Sequence, residues 1–247
     1  MQSNMNYAMV SKLGNRDNNE DSITAIETDI GSLFVVADGL GGHGKGEVAS
    51  AIVTETFQNM FKNCSDTEKT SEFIAEAFNA AQSNIVEAQV SQNALDEMKT
   101  TCAALLVCGN FYVTGHVGDT RIYTFLNNKV KERTRDHSVA EMLAISGDIK
   151  EKKIRHHPDR NRLLRTMGIT WNSPLYELTD DIQLSECQAF LLCTDGFWEL
   201  CDEKKMCTYL KKSSCAEEWL NLMTVEVEKN GKGKDMDNYS AIAVSCR

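Results

Sequence analysis

Two prolines in 247 residues, no C-x-x-C pair and no apolar run long enough to span a bilayer each remove a class of protein. With so little proline there is no proline-rich linker to separate domains, and no repeat or low-complexity stretch takes its place. The nine cysteines are odd in number and scattered, and Cys102, Cys108 and Cys193 sit inside apolar runs. That pattern speaks against a disulfide framework or a cysteine zinc site and fits reduced core thiols. Without a bilayer span or a basic-then-apolar leader, the expected location is cytoplasmic, with no membrane partner. Positive charge is scarce as well. Lys+Arg number 26 against 36 Asp+Glu, a net −10 that argues against general nucleic-acid affinity. The deficit is uneven: from Arg121 to Arg165 twelve Lys/Arg face six Asp/Glu. This locally basic third is either a solvated surface or a face that receives an anionic partner.

The length suits one sizeable domain. Residues 22–29 and 32–37 read as a hairpin around Asp29 to Gly31. From Lys45 to Phe61, apolar residues recur at helical spacing, and Phe73, Ala77, Ala81, Ile85 and Ala88 line one face of a second helix. Four strand-like runs follow over 101–134, with tight turns at Gly109-Asn110 and Asn127-Asn128, and read as an antiparallel meander. Residues 138–157 are partly helical, then charged and irregular. Further strands are expected at 176–184, 189–194 and 240–246, and helices near 203–212 and 215–229. Groups of antiparallel strands followed by helix pairs make the class α+β rather than a βαβ alternation.

One stretch looks at first like a phosphate cradle. VVADGLGGHGKGEVAS (35–50) is a strand, a glycine-rich loop and a helix start. From Gly39 it nearly spells the nucleotide-binding pattern G-x-x-x-x-G-K-[ST], but Gly46 stands where a magnesium-binding hydroxyl is needed. Asp38 precedes the first glycine, and the surrounding pattern is antiparallel. Lys45 therefore reads as the start of a helix, and His43 as structural support for the glycine turn.

The carboxylates suggest different chemistry. Asp38, Asp119 and Asp195 each lie beside glycine at the end of an apolar strand, and Asp237-Asn238 precedes the last one. One Asp beside Gly is ordinary turn chemistry, and Gly118-Asp119 alone would pass for a two-residue hairpin turn. In an antiparallel sheet, however, the end of one strand lies beside the start of its neighbour, so Asp38, Asp195 and Asp237 can share one edge of the core. Clustered carboxylates repel unless protonated or bridged by cations, and an all-oxygen set suits Mg²⁺ or Mn²⁺. The Gly39 carbonyl can add an oxygen. Near the N-terminus, GNRDNNED contributes Arg16, whose planar fork matches a phosphate, and the pair Glu20-Asp21.

Taken in order, R-x-x-x-E-D, V-x-D-G-x-G-G-H, G-D-[ST]-R, D-H-S, T-D-G and D-N resemble the metal-dependent type 2C (PPM) Ser/Thr protein phosphatases, most closely the compact bacterial-type members. The resemblance runs from Arg16 to the final strand. It implies a single domain over 1–247, built as a four-layer α/β/β/α sandwich of two antiparallel sheets flanked by helix pairs. A variable flap is implied near 139–157, with His157-Pro158 and Arg160-Asn161 returning to the core. It implies two or three Mn²⁺ or Mg²⁺ ions. Asp38 would bridge two of them, with Gly39 on one and Asp195 and Asp237 on the other. Glu20 and Asp21 would act through water, Asp119 at a third ion, and Arg16 on the substrate phosphate. Asp38 and Arg16 are the catalytic candidates. Leu40 departs from members that carry His after Asp-Gly, which leaves the general acid unassigned. The implied partners are Ser/Thr-phosphorylated proteins, a cognate kinase and its substrates, with the phosphatase itself a monomer. A catalytically silent phosphoprotein-binding relative is the alternative, although every expected carboxylate is present.

Overall fold

The computed structural model describes residues 5–41, 45–64, 70–95 and 97–246. Its strands form two antiparallel sheets. The first runs β1 (Asn6–Lys12), β11 (Tyr239–Ser245), β10 (Ala189–Cys193), β6 (Arg121–Leu126), β7 (Lys129–Arg133). The second runs β2 (Asp21–Thr28), β3 (Gly31–Asp38), β4 (Cys102–Cys108), β5 (Phe111–Val117), β8 (Glu177–Leu178), with β9 (Ile182–Gln183) also paired to β5.

Antiparallel strands usually alternate apolar and polar residues, yet the runs FVVA, AALLV and AIAV are apolar throughout. The layering explains this. Leu33, Val35 and Ala37 of β3 pack under α1 (Gly46–Lys62) and α2 (Thr70–Ser91). Phe34 and Val36 of the same strand face the other sheet, against Phe190, Leu192, Ile242 and Val244. The short α3 (Val139–Ser146) follows β7, and on the far side Leu191, Cys193, Ala241 and Ala243 pack beneath α4 (Asp195–Trp198), α5 (Glu203–Lys212) and α6 (Ala216–Gly231). Central strands are therefore covered on both faces, and every second residue supplies one of two cores. The result is the expected four-layer sandwich, helices outside and sheets within.

Three details differ from the sequence reading. The strand β1 has only Ala8 and Val10 turned to the core, with Tyr7 and Met9 exposed, so its short pattern carries little signal. The meander is broken: β5 and β6 belong to different sheets, and Gly118-Asp119 is a crossing rather than a hairpin turn. Gly118 has φ +97°, and a Cβ there would collide with the Thr101 side chain, so the crossing depends on glycine. Finally, 176–184 is not one strand but two short pairings, because Asp181 turns away to accept a hydrogen bond from Thr70 at the start of α2.

Candidate metal centre

Two of the connections between the sheets carry carboxylates at the same end of the sandwich. The loop from β1 to β2 ends in Glu20 and Asp21, and the β5–β6 crossing holds Asp119. Asp21 is the register partner of Asp38 at the end of β3. Asp195 opens α4 directly after β10, and Asp237 sits two residues before β11. The carboxylates thus meet across two sheets, not along one as strand order alone suggests. Arg16, Glu20, Asp38, Gly39, Asp119, Asp195 and Asp237 line one open cavity of about 520 Å³, and Asp21 lies behind it against Asp38.

The glycine loop has an unexpected occupant. A Cβ on Gly41 would collide with the Glu20 carboxylate, and one on Gly46 would come within 2.6 Å of it. A Cβ on Gly39 would strike the backbone of Gly46. The backbone N–H of Gly41 favours the ionised Glu20, and Gly39 N–H donates to the Glu20 carbonyl at 3.0 Å. Gly41 and Gly46 therefore surround the chain's own carboxylate. Lys45 points elsewhere, donating to Gln92 just past the end of α2 at 2.7 Å. His43 lies outside the described residues.

Electrostatics makes the cluster unusual. Burial, then the neighbouring Asp21, Asp195, Asp119 and Asp237, push Asp38 well above the ordinary carboxylate range. Burial, followed by Asp119 and Glu199, does the same to Asp195. Asp119 is raised to about 7 by burial and Asp136. Asp21 is also raised to about 7, chiefly by burial, although Thr194 Oγ1 donates to its Oδ2 at 3.1 Å. Its other oxygen, Oδ1, is buried with no hydrogen-bond partner, an uncommon cost for a native core. Such an array is costly by itself and is relieved by hard cations with oxygen ligands. The residues present fit divalent Mg²⁺ or Mn²⁺.

Several supports escaped the sequence reading. Trp198 Nε1 donates to the Asp119 carbonyl at 3.0 Å, and Trp198 is held in turn by Arg121, whose guanidinium carbon lies 3.5 Å from the ring centre. Arg121 is buried and makes a double hydrogen bond to Asp136 at 2.7 and 2.6 Å. Asn238 Oδ1 accepts from Glu20 N–H at 2.8 Å, while its amide donates to Leu13 and Asn18 carbonyls. Asn161, already named by the resemblance, lines the cavity from the connection between β7 and β8. The signals for Arg121 and Asn238 lay inside G-D-T-R and D-N; nothing around Trp198 marked it. Arg16 donates to Asp237 at 2.8 Å and stays half exposed.

The sequence pattern of the family described as Protein phosphatase 2C matches residues 10–231. The chain belongs to the protein phosphatase 2C family. Among relatives of this phosphatase, the serine/threonine phosphatase stp of Listeria monocytogenes is 28% identical over 224 residues, 89% of this chain and 88% of that one. The serine/threonine protein phosphatase PstP of Mycobacterium tuberculosis is 29% identical over 226 residues, 89% of this chain but 41% of that protein. The crystal structure of Stp1 from Staphylococcus aureus superposes with a TM-score of 0.87 at 26% identity, covering 98% of this chain and 94% of that one. The catalytic domain of PstP, crystallised with two manganese ions, gives 0.80 at 25% identity, with 98% and 97% covered.

Away from this cavity, His116, His137 and Glu177 also bring donor atoms within 4.8 Å of one another. Hydrogen bonding argues against a metal there. Gly118 N–H donates to His137 Nδ1 at 3.2 Å, so the ring proton sits on Nε2, which faces Glu177 at 3.2 Å. Arg165 already places a cation 3.0 Å from the same Glu177 oxygen. The group is a hydrogen-bonded clasp.

Proposed function

We propose that the metal-dependent protein serine/threonine phosphatase activity of this chain is carried by the carboxylate cavity. Asp38, the Gly39 carbonyl, Asp195 and Asp237 would hold two Mn²⁺ or Mg²⁺ ions, Asp119 would help hold a third, and Glu20 and Asp21 would act through water. The observation that carries this reading is the convergence of mutually repelling carboxylates, including an unpartnered Asp21 oxygen, on one open cavity. When bound, the ions neutralise that charge and acidify water enough to ionise near neutral pH.

The remaining work falls to side chains. Arg16 uses one N–H on Asp237, leaving further donors of its fork for the phosphate oxygens. Asp237 holds the fork at the cavity mouth, so the phosphorus is presented to the carboxylate floor. Water oxygen bonds to phosphorus, the phosphorus–oxygen bond to Ser or Thr breaks, and the departing alkoxide takes a proton. Leu40 supplies no such proton and acts as an apolar wall. The scattered cysteines, without a C-x-x-C pair, and the net charge of −10 suit cytoplasmic phosphoproteins, the products of a cognate protein kinase.

The test is Mn²⁺-dependent release of phosphate from a phosphothreonine peptide, together with Mn²⁺ binding by calorimetry. Asp195→Asn should lose turnover by at least about a hundredfold and weaken Mn²⁺ binding while remaining folded. Wild-type turnover in that variant would refute the assignment.

A further inference from the structure

A second cavity, of about 420 Å³, adjoins the first and shares Arg16, Asn161, Asp195 and Asp237 with it. Its outer wall comes from the end of the flap (Arg155, His156, Arg160) and from the loop before β11 (Lys234, Asp235). Sequence charge alone spreads the basic stretch over Arg121 to Arg165. The structure selects among its cations: Lys150, Lys152 and Lys153 are absent from this wall, and Arg155 belongs to it.

Two of the cations are braced from behind. Arg155 Nη2 donates to Glu203 at 2.8 Å, and Arg160 grips both carboxylate oxygens of Glu199. Their Nη1 groups reach only backbone carbonyls, at 3.5 and 3.4 Å, the outer limit of hydrogen bonding, so donors remain for a ligand. The other two are uncommitted. His156 and Lys234 are exposed and have no ion-pair or side-chain hydrogen-bond partner among the described residues. Against them stand Asp235 and the shared Asp195 and Asp237, while Glu199 is occupied by Arg160 and Asp237 by Arg16. Guanidinium forks with spare donors beside a free ammonium form a wall suited to an anion of phosphate or carboxylate shape.

We propose that this cavity is a second anion subsite, which receives a phosphorylated or carboxylate side chain flanking the scissile phosphoserine or phosphothreonine. The proposal rests on the phosphatase reading of the adjoining cavity. Because the two cavities share a wall, the second anion lies close to the first along the bound chain. The preferred substrates are then proteins phosphorylated at clusters or within acidic sequences, not isolated sites in neutral surroundings.

Binding can be measured without turnover, by fluorescence anisotropy on the full chain carrying Asp38→Asn. Three labelled phosphothreonine peptides are compared, with neutral flanks, a nearby glutamate or a nearby phosphoserine. The flanked peptides should bind about three- to tenfold more tightly, the gain should shrink with salt, and adding Lys234→Glu with His156→Ala should abolish it. The neutral peptide should bind both backgrounds alike. A gain for phosphoserine alone identifies the phosphorylated source, and an equal gain for both identifies simple acidity; either supports the subsite. Equal affinity for all three peptides, or a preference that survives Lys234→Glu/His156→Ala, overturns it. Turnover of the neutral peptide by the wild type reports separately on the phosphatase reading, so either can fail alone.

Discussion

Asp38 shows how function and stability conflict at a single residue. Burial and four neighbouring carboxylates disfavour its charge, so the folded chain carries a repulsive centre that an amide would relieve. Asp38→Asn should therefore abolish Mn²⁺-dependent turnover and yet raise the melting temperature measured in EDTA. The expected gain is on the order of 1–2 kcal/mol, a few degrees for a domain of this size. Adding Mn²⁺ should stabilise the wild type more than the variant. Scanning calorimetry with EDTA and with Mn²⁺ checks both halves; a variant less stable than wild type in EDTA would show that Asp38 is satisfied by the fold itself.

At the level of elements, the site depends on how α4 meets the β5–β6 crossing. Trp198, the last residue of that helix, ties it to Asp119 through one N–H and carries Arg121 stacked on its ring. Trp198→Phe keeps an aromatic face for Arg121 but leaves a buried carbonyl unpaired, at a cost of about 1–3 kcal/mol. Because that carbonyl belongs to Asp119, the variant should also weaken Mn²⁺ binding at its lowest-affinity site, read by calorimetric titration. A loss of stability with an unchanged isotherm would make Trp198 a core residue only. The sequence made the strands and long helices legible because period-2 and period-3.6 patterns survive wherever a segment packs on a continuous core. It did not reveal β1, which buries only Ala8 and Val10, nor the break at Gly118, where a glycine reads equally as a hairpin turn or a crossing. The site carboxylates were legible because Asp-Gly recurs at strand ends. Trp198 was not legible, because it acts through contacts between segments distant in the chain and sits in no local pattern; Asn161 was legible only through the family resemblance.

Across the whole molecule, the two sheets must hold their relative position for the carboxylates to meet, and a histidine pair helps to hold it. His116 on β5 of the second sheet stacks on His137, which follows β7 of the first, with ring centres 4.7 Å apart. His116 Nε2 bonds the Arg135 carbonyl at 2.8 Å. Burial lowers the pKa of both rings, and that of His137 falls to about 4. In the unfolded chain each would titrate near 6.5. Between about pH 4 and 6.5 the unfolded state thus binds more protons than the folded one, so stability rises with pH and is lost on acidification. That difference sets an upper limit on the order of 3 kcal/mol for His137. The raised site carboxylates act in the opposite sense, but they are common to wild type and variant and cancel in the difference. His137→Gln, which cannot take up a proton in this range, should be less stable than wild type at pH 7 and should lose less on going to pH 4.5. Urea unfolding at several pH values measures that difference, and parallel curves for the two chains would mean that His137 is not held neutral by the fold.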